Sequence, residues 1–240
     1  MTSFDVTLSG REDVAEGTTA FHFSKPEGFQ FKPGQAIDVI LPDVTVSAAS
    51  GNRHTFSLVS APFEHELVVA TRMRDSAFKR ALKALPIGQA ARIEGPFGSL
   101  ILHNNRVRPA LLIAGGIGIT PFMSMLRQAG KDRLPQQLVL LYANRRPEDA
   151  AFLAELQELA ASNEHFRLVG TMTQMARSIR SWDGETRALD ENLLRSAGAG
   201  LVAPICYVAG PPAMVEAVRQ ALNRAGIDDD DIRSEEFHGY

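Results

Sequence analysis

Residues 110–121 read ALLIAGGIGITP: an apolar run, Ala110 to Ala114, then Gly115, Gly116, Ile117, Gly118, Ile119, Thr120 and Pro121, with a helix-like segment from Phe122 to Ala129 behind them. The pattern is a strand, a glycine turn and a helix start. Glycines there let the backbone turn sharply and approach a ligand, while free N–H groups and the dipole at a helix start favour a phosphate. The ligand this implies is a nucleotide; a plain strand-to-helix turn is the alternative. The spacing departs from the dinucleotide fingerprint G-x-G-x-x-G, because Pro121 stands at the third glycine, and from the Walker loop, because no Lys-Ser/Thr follows.

Downstream of this stretch, apolar runs alternate with amphipathic segments. Strands are expected at Gln137 to Tyr142, Phe166 to Gly170, Ile205 to Ala209 and Ile232 to Glu235, and helices at Glu148 to Ala161, Glu191 to Ala197 and Pro212 to Ala225. Such alternation predicts a parallel sheet covered on both faces, with ligands beyond the carboxyl ends of the strands. Two further segments begin at such ends. Asn144-Arg145-Arg146 follows the strand ending at Tyr142, where many dinucleotide folds place an acidic residue; a solvated basic turn is the alternative. Ala209-Gly210-Pro211-Pro212-Ala213-Met214 allows close backbone approach at Gly210 and a helix start at either proline.

Upstream, short runs at Phe4 to Leu8, Thr18 to Phe23, Ala36 to Leu41, Thr55 to Val59, Glu66 to Thr71 and Ala91 to Ile93 are separated by turn signals that include Gly10, Pro33-Gly34 and Gly51-Asn52. They predict a small antiparallel barrel or sandwich with one helix, Ser76 to Leu85. The boundary is expected in Leu102 to Pro109, giving domains 1–103 and 108–240. Along Arg53-His54-Thr55-Phe56-Ser57, alternation sets Thr55 and Ser57 on one face and Phe56 on the other, an aromatic ring beside a hydroxyl that suits a flat heterocycle. Arg53 or His54 stands within reach of a phosphate. Arg72-Met73-Arg74-Asp75-Ser76-Ala77-Phe78 puts cations and a hydroxyl before a helix, a second anion site.

The chain has 240 residues, 45% hydrophobic and 22% charged, enough for two medium globular domains. Its net charge of −3 gives no global reason to expect nucleic acid or an anionic membrane as partner. An N-terminus without a basic start or an apolar core, and no apolar run near ~18 residues, lead to an expectation of a cytoplasmic protein. The single cysteine, Cys206, excludes a disulfide, a four-cysteine zinc site and an iron–sulfur cluster built within these residues. No metal site is expected.

Four ordered motifs resemble the ferredoxin–NADP(+) reductase-like flavoproteins, over nearly the whole chain. His54-Thr55-Phe56-Ser57 resembles that family's flavin motif Arg-x-Tyr/Phe-Ser, Gly115 to Pro121 its nicotinamide-nucleotide loop, Ala209 to Pro212 its Cys-Gly-Pro-Pro turn, and Glu235-Glu236-Phe237-His238-Gly239-Tyr240 its acidic-aromatic C-terminus. The resemblance implies an N-terminal antiparallel flavin-binding barrel and a C-terminal α/β domain for the pyridine nucleotide. It implies FAD rather than FMN, with Phe56 against the ring, Ser57 near its reactive nitrogen and Arg72, Met73, Arg74, Ser76, Ala77 and Phe78 around its phosphates. Gly116, Gly118, Thr120, Pro121, Asn144 and Arg145 would meet NADPH or NADH, with Gly210, Pro211, Pro212 and Met214 lining the same crevice. Phe237 would cover the ring, and Glu236 would assist proton or hydride transfer. The donor's electrons would pass to a separate ferredoxin, flavodoxin or oxygenase component, or to a diffusible acceptor. An accessory or sensor subunit with little turnover is the alternative. Two departures bear on this: histidine replaces the arginine two residues before Phe56, and Ala209 stands where many relatives carry cysteine. Arg145, Arg177 and Arg180 favour NADPH over NADH, and Trp182 either flanks the adenine or packs locally.

Overall fold

A computed structural model describes residues 2–42 and 51–238. Six antiparallel strands form the N-terminal half: β1 (Ser3–Ala15), β2 (Thr18–Ser24), β3 (Ala36–Ile40), β4 (Arg53–Ser57), β5 (Glu66–Arg72) and β6 (Ala90–Phe97). Their order is β4-β3-β6-β1-β2-β5, and a bridge between Leu58 and Val69 joins the two ends, so the sheet closes into a barrel. Inward residues such as Leu8, Phe21, Phe23, Ile37 and Leu67 are fully buried and fill it. Helix α1 (Ala77–Ala84) plugs one end with Phe78 and Leu82.

Gly10 is not the expected turn. Strand β1 runs through it, pairing with β6 over residues 3–7 and with β2 over residues 8–15, and the register slips between Leu8 and Gly10. A glycine there lets one strand bend from one partner to the next, a bulge rather than a chain reversal.

The C-terminal half is a five-stranded parallel sheet, β7 (Ala110–Gly115), β8 (Leu138–Asn144), β9 (Phe166–Met172), β10 (Ile205–Gly210) and β11 (Ile232–Glu236), in the order β11-β10-β7-β8-β9. Helices α2 (Thr120–Lys131), α3 (Leu153–Ser162), α4 (Glu191–Ala197) and α5 (Pro212–Arg224) cover it. Strand β7 is buried at every residue, as a central strand covered on both faces must be. Its two sides feed two cores: Ala110, Leu112 and Ala114 pack with α2 and α3, while Leu111 and Ile113 pack with α4 and α5. Helix α3 begins later than the expected Glu148, because Pro147–Asp149 forms a 3-10 turn and Phe152 has φ of 59°. Among the described residues no helix is long and apolar enough to cross a membrane.

Strand order reverses at β7, whose neighbours β10 and β8 lead in opposite directions, so the crevice of an open α/β sheet falls at the end of β7. The barrel abuts that end. Ser124 on α2 donates to the Ser60 carbonyl of the barrel at 2.7 Å, and the Glu16 amide donates to the Glu148 carbonyl at 2.8 Å.

Candidate active site

A cleft of about 480 Å³ lies between the halves and draws its walls from segments far apart in sequence. Strand β4 gives the first wall. Its register sets Thr55 opposite Asp38 of β3. Asp38 accepts the Thr55 hydroxyl hydrogen bond and pairs with Arg53 at 3.0 Å, while the other end of the same guanidinium meets Glu94 at 2.8 Å. The cation assigned to a phosphate is therefore held by two carboxylates. His54 lies flat on Phe56, ring centres 4.7 Å apart and planes 17° from parallel, and Phe78 tilts against both rings. Burial holds the His54 imidazole below the ordinary histidine pKa, so it is neutral at pH 7. Phe56 is buried beneath it at 6% exposure, which makes the aromatic surface a shelf of His54 and Phe56 together. Ser57 is buried on the same wall, and its hydroxyl has no hydrogen-bond partner among the described residues.

The end of β5 and the start of α1 give the second wall. Arg72 lines the cleft and faces Asp149 at 3.6 Å. Ser76 caps α1, accepting from the Lys79 amide at 3.2 Å, and Ala77 opens the helix. Met73 and Phe78 pack into the barrel core, and Arg74 is exposed. A further cation of the cleft lining is one that the sequence reading missed, Lys79. It is 8% exposed, its ammonium donates to the Arg72 carbonyl at 2.8 Å, and burial lowers its pKa with Arg74 adding to the effect. A lysine three residues before the buried Leu82, on the apolar stripe of α1, was the available signal.

The glycine loop gives the third wall through Ile117 and Thr120. Residues Gly116–Ile119 form a 3-10 turn before α2 starts, and the Thr120 hydroxyl donates back to the Ile117 carbonyl at 3.0 Å. Gly118 presses on the next strand: a Cβ there would collide with the Ala209 carbonyl. Gly115 and Gly210 leave room for Met214 in the same way. Gly116 is different, with φ of +55° and open space where a Cβ would stand. Pro121 is buried in the first turn of α2, Pro211 precedes α5 and Pro212 is its first residue. These residues shape the loop from behind, outside the cleft lining.

Asn144 ends β8 and Arg145 follows it, both also outside that lining. Arg145 is exposed, and both polar atoms of the Asn144 amide are buried with no hydrogen-bond partner among the described residues. Arg146 joins the halves instead, meeting Glu16 and Asp149 at 2.9 Å each. Glu148 fixes the loop after β9 by accepting from the amides of Ile179 and Arg180 and the hydroxyl of Ser178, contacts that draw its pKa down to about 2 against the opposing effect of its desolvation. Trp182 packs locally, its ring on Gly170 and its indole donating to the Glu185 carbonyl at 2.9 Å. Cys206 is core, its thiol pushed up to about 12 by burial.

The C-terminal tail closes the cleft. The Phe237 amide donates to the Gly210 carbonyl at 2.9 Å, and Phe237 and Glu236 both line the cavity. Glu236 is exposed and lies 3.6 Å from His238. Glu235 is the second residue the sequence reading passed over. It lines the cleft half-buried, and burial pushes its carboxyl up to about 7. Strand alternation pairs it with Phe237, two residues on, and that was its signal. Gly239 and Tyr240 lie outside the described residues.

A closed antiparallel barrel set against a five-stranded parallel sheet, with a cleft at the switch point, defines a two-domain fold shared with known proteins. The chain has the ferredoxin–NADP(+) reductase-like fold, and residues 112–220 match the oxidoreductase NAD-binding domain. Among solved structures it is similar to the cytochrome b5 reductase domain of Ulva prolifera nitrate reductase, with TM-score 0.81, 18% identity and coverage of 98% of this chain and 97% of that one. It is also similar to a ferredoxin NADP+ reductase from Neisseria gonorrhoeae with bound FAD and NADP, with TM-score 0.79, 20% identity and coverage of 98% of each chain. In sequence it is 26% identical over 222 residues to the reductase component of propane 2-monooxygenase from Rhodococcus jostii, covering 89% of this chain and 57% of the relative. The chain thus spans less than two thirds of that relative's length.

Proposed function

We propose that the chain is an NAD(P)H-dependent flavoprotein reductase, taking hydride from NADPH or NADH and passing electrons to a separate acceptor. The observation that carries this is the convergence of Phe56 and Ser57, Thr120 and Phe237 on one cavity, from three segments that share no local sequence. The donor set suits FAD. An aromatic shelf, a free hydroxyl at Ser57 and the unneutralised Lys79 beside the first turn of α1 match a ring, its polar rim and its phosphates. Bound there, a flavin would supply the two-electron to one-electron conversion.

The chain's own residues supply alignment. Ser57 offers its hydroxyl to the rim of the ring, Phe237 shields the open side from water, and the glycine loop with Thr120 receives the nucleotide end of the donor. Glu235, protonated for half of the molecules near pH 7, holds a proton at the edge of the same cavity. The exposed Arg145 favours NADPH. The acceptor is a ferredoxin, a flavodoxin, an oxygenase component or a diffusible oxidant, and the same reading puts the protein in the cytoplasm.

Anaerobic mixing of the FAD-loaded protein with each pyridine nucleotide tests the proposal. Bleaching of the flavin band is expected with at least one. Failure to bind flavin ends the reading, and bound flavin that neither nucleotide bleaches replaces it with the accessory or sensor role. The NADPH preference is abandoned if kcat/KM for NADH exceeds that for NADPH by about tenfold, a difference near 1.4 kcal/mol.

A further inference from the structure

A second cavity, of about 560 Å³, opens on the linker side of the molecule, between barrel loop, linker and α2. It is distinct from the first: Thr120 starts α2 at one cleft and Gln128 lines the other, eight residues or about 12 Å along the same helix. Its floor is apolar, formed by Phe31, Leu102, Met125 and Leu134. Its rim carries Lys32, Arg106 and Arg233, and among the described residues none of the three is paired with a carboxylate.

The polar surroundings hold these cations without neutralising them. Arg233 donates to the Ile101 carbonyl at 2.8 Å and lies 5.4 Å over the Tyr207 ring, so one face of its guanidinium is committed and the rest is available. The neighbouring carboxylate Asp231 is taken by Arg108 at 2.7 Å, and Asp132 on the rim accepts from Gln128. His103 adds no charge, because burial and the adjacent arginines keep its pKa low and both ring nitrogens have partners. The result is three cations over an apolar floor, against one carboxylate.

We propose that this cavity binds an organic anion with an apolar body, of the aryl or alkyl carboxylate class. The carboxylate would sit between Arg106 and Arg233, since a guanidinium meets a carboxylate with two parallel hydrogen bonds, and the body would lie on Met125 and Leu134. The site is independent of the flavin reading.

Calorimetric titration of the full chain with benzoate tests it, with acetate as the anion lacking a body and benzyl alcohol as the body lacking a charge. Benzoate is expected to bind at least about tenfold more tightly than either, in the millimolar range or below. Arg106→Gln, on an exposed loop, should weaken benzoate by about fivefold or more without altering the melting temperature, and Arg233→Gln should weaken it as much while also lowering the melting temperature, since it loses the Ile101 and Tyr207 contacts. Amide shifts caused by benzoate should map to residues 101–106 and 128–134. Equal affinity for benzoate and acetate, unaltered binding in Arg106→Gln, or shifts confined to the first cleft would each overturn the proposal.

Discussion

The barrel wall and the glycine-loop wall of the first cleft work by opposite means. On β4 the chemistry lies in side chains, and the barrel decides which remain available: Arg53 and Thr55 are consumed by Asp38, whereas Ser57 is left free. At the end of β7 the chemistry lies in missing side chains. Gly115 and Gly118 allow the loop to lie against β10, and Gly210 answers them from that strand. A wall made of side chains should tolerate substitution with graded loss, and a wall made of backbone contacts should fail abruptly.

The sharpest break in that contrast lies within the loop itself. Gly118→Ala drives a Cβ into the backbone of Ala209 and Gly210, atoms that cannot move without shifting a buried strand, so a loss of about 3 kcal/mol in unfolding free energy and of nucleotide binding is expected. Gly116→Ala, facing open space, should lose only about 1 kcal/mol for its left-handed backbone. Equal losses in urea unfolding would show that the packing against β10 is not what the loop needs.

Glu235 probes the tail that closes both walls. Its folded pKa lies above the unfolded value, so the native state binds the extra proton between about pH 4.5 and 7, and stability falls as pH rises through that window. A decline of roughly 1–3 kcal/mol is expected across it, and Glu235→Gln should flatten the curve. A slope that survives in Glu235→Gln would show that this carboxyl is not the group that titrates across the window.

How far the sequence could reach follows the same division. Glycine and proline spacing told where the chain turns and where helices start, because those residues act through their own backbone; the strand–loop–helix at 110–131 was readable on that ground alone. Alternation likewise placed the hydroxyls of Thr55 and Ser57 on one face of β4. Partnership across strands was not readable. Nothing in Arg53 reveals that Asp38 and Glu94, 15 and 41 residues away, stand beside it once β3 and β6 are paired. Lys79 and Glu235 were missed for a related reason: each reads as an ordinary charge in sequence, and its burial shows only once the cleft that both line is assembled. Gly10 misled because a glycine at a bulge and a glycine at a turn have the same local signature.

On the barrel wall, Asp38→Asn removes the buried carboxylate that holds Arg53 and leaves Glu94 as its only strong partner. Freed in part, the guanidinium raises the positive potential along the cleft, so affinity for FAD should rise about three- to tenfold while riboflavin, which lacks phosphate, is unchanged. Fluorescence titration with the two flavins separates these outcomes. A parallel gain for riboflavin would mean that Asp38 shapes the ring site and not the phosphate end.

The smallest effects should come from the ion network that fixes one wall against the other. Asp149 is its centre: only 10% of its side chain is exposed, and it meets Arg72 of the barrel at 3.6 Å and Arg146 of the α/β half at 2.9 Å. Glu16 is its rim, its side chain 63% exposed and paired, among the described residues, with Arg146 alone. Coulomb attraction at an exposed site is screened by water and salt, and holding two long side chains together opposes it, so Glu16→Gln should move the melting temperature by no more than about 1 °C. Asp149→Asn leaves Arg72 and Arg146 facing each other without the charge between them and should lower it by several degrees, about 3–6 °C, with the loss shrinking in high salt. If the two variants behave alike, the halves are held by the Ser124–Ser60 and Glu16–Glu148 hydrogen bonds and the apolar packing of α2, and the arginines merely decorate the seam.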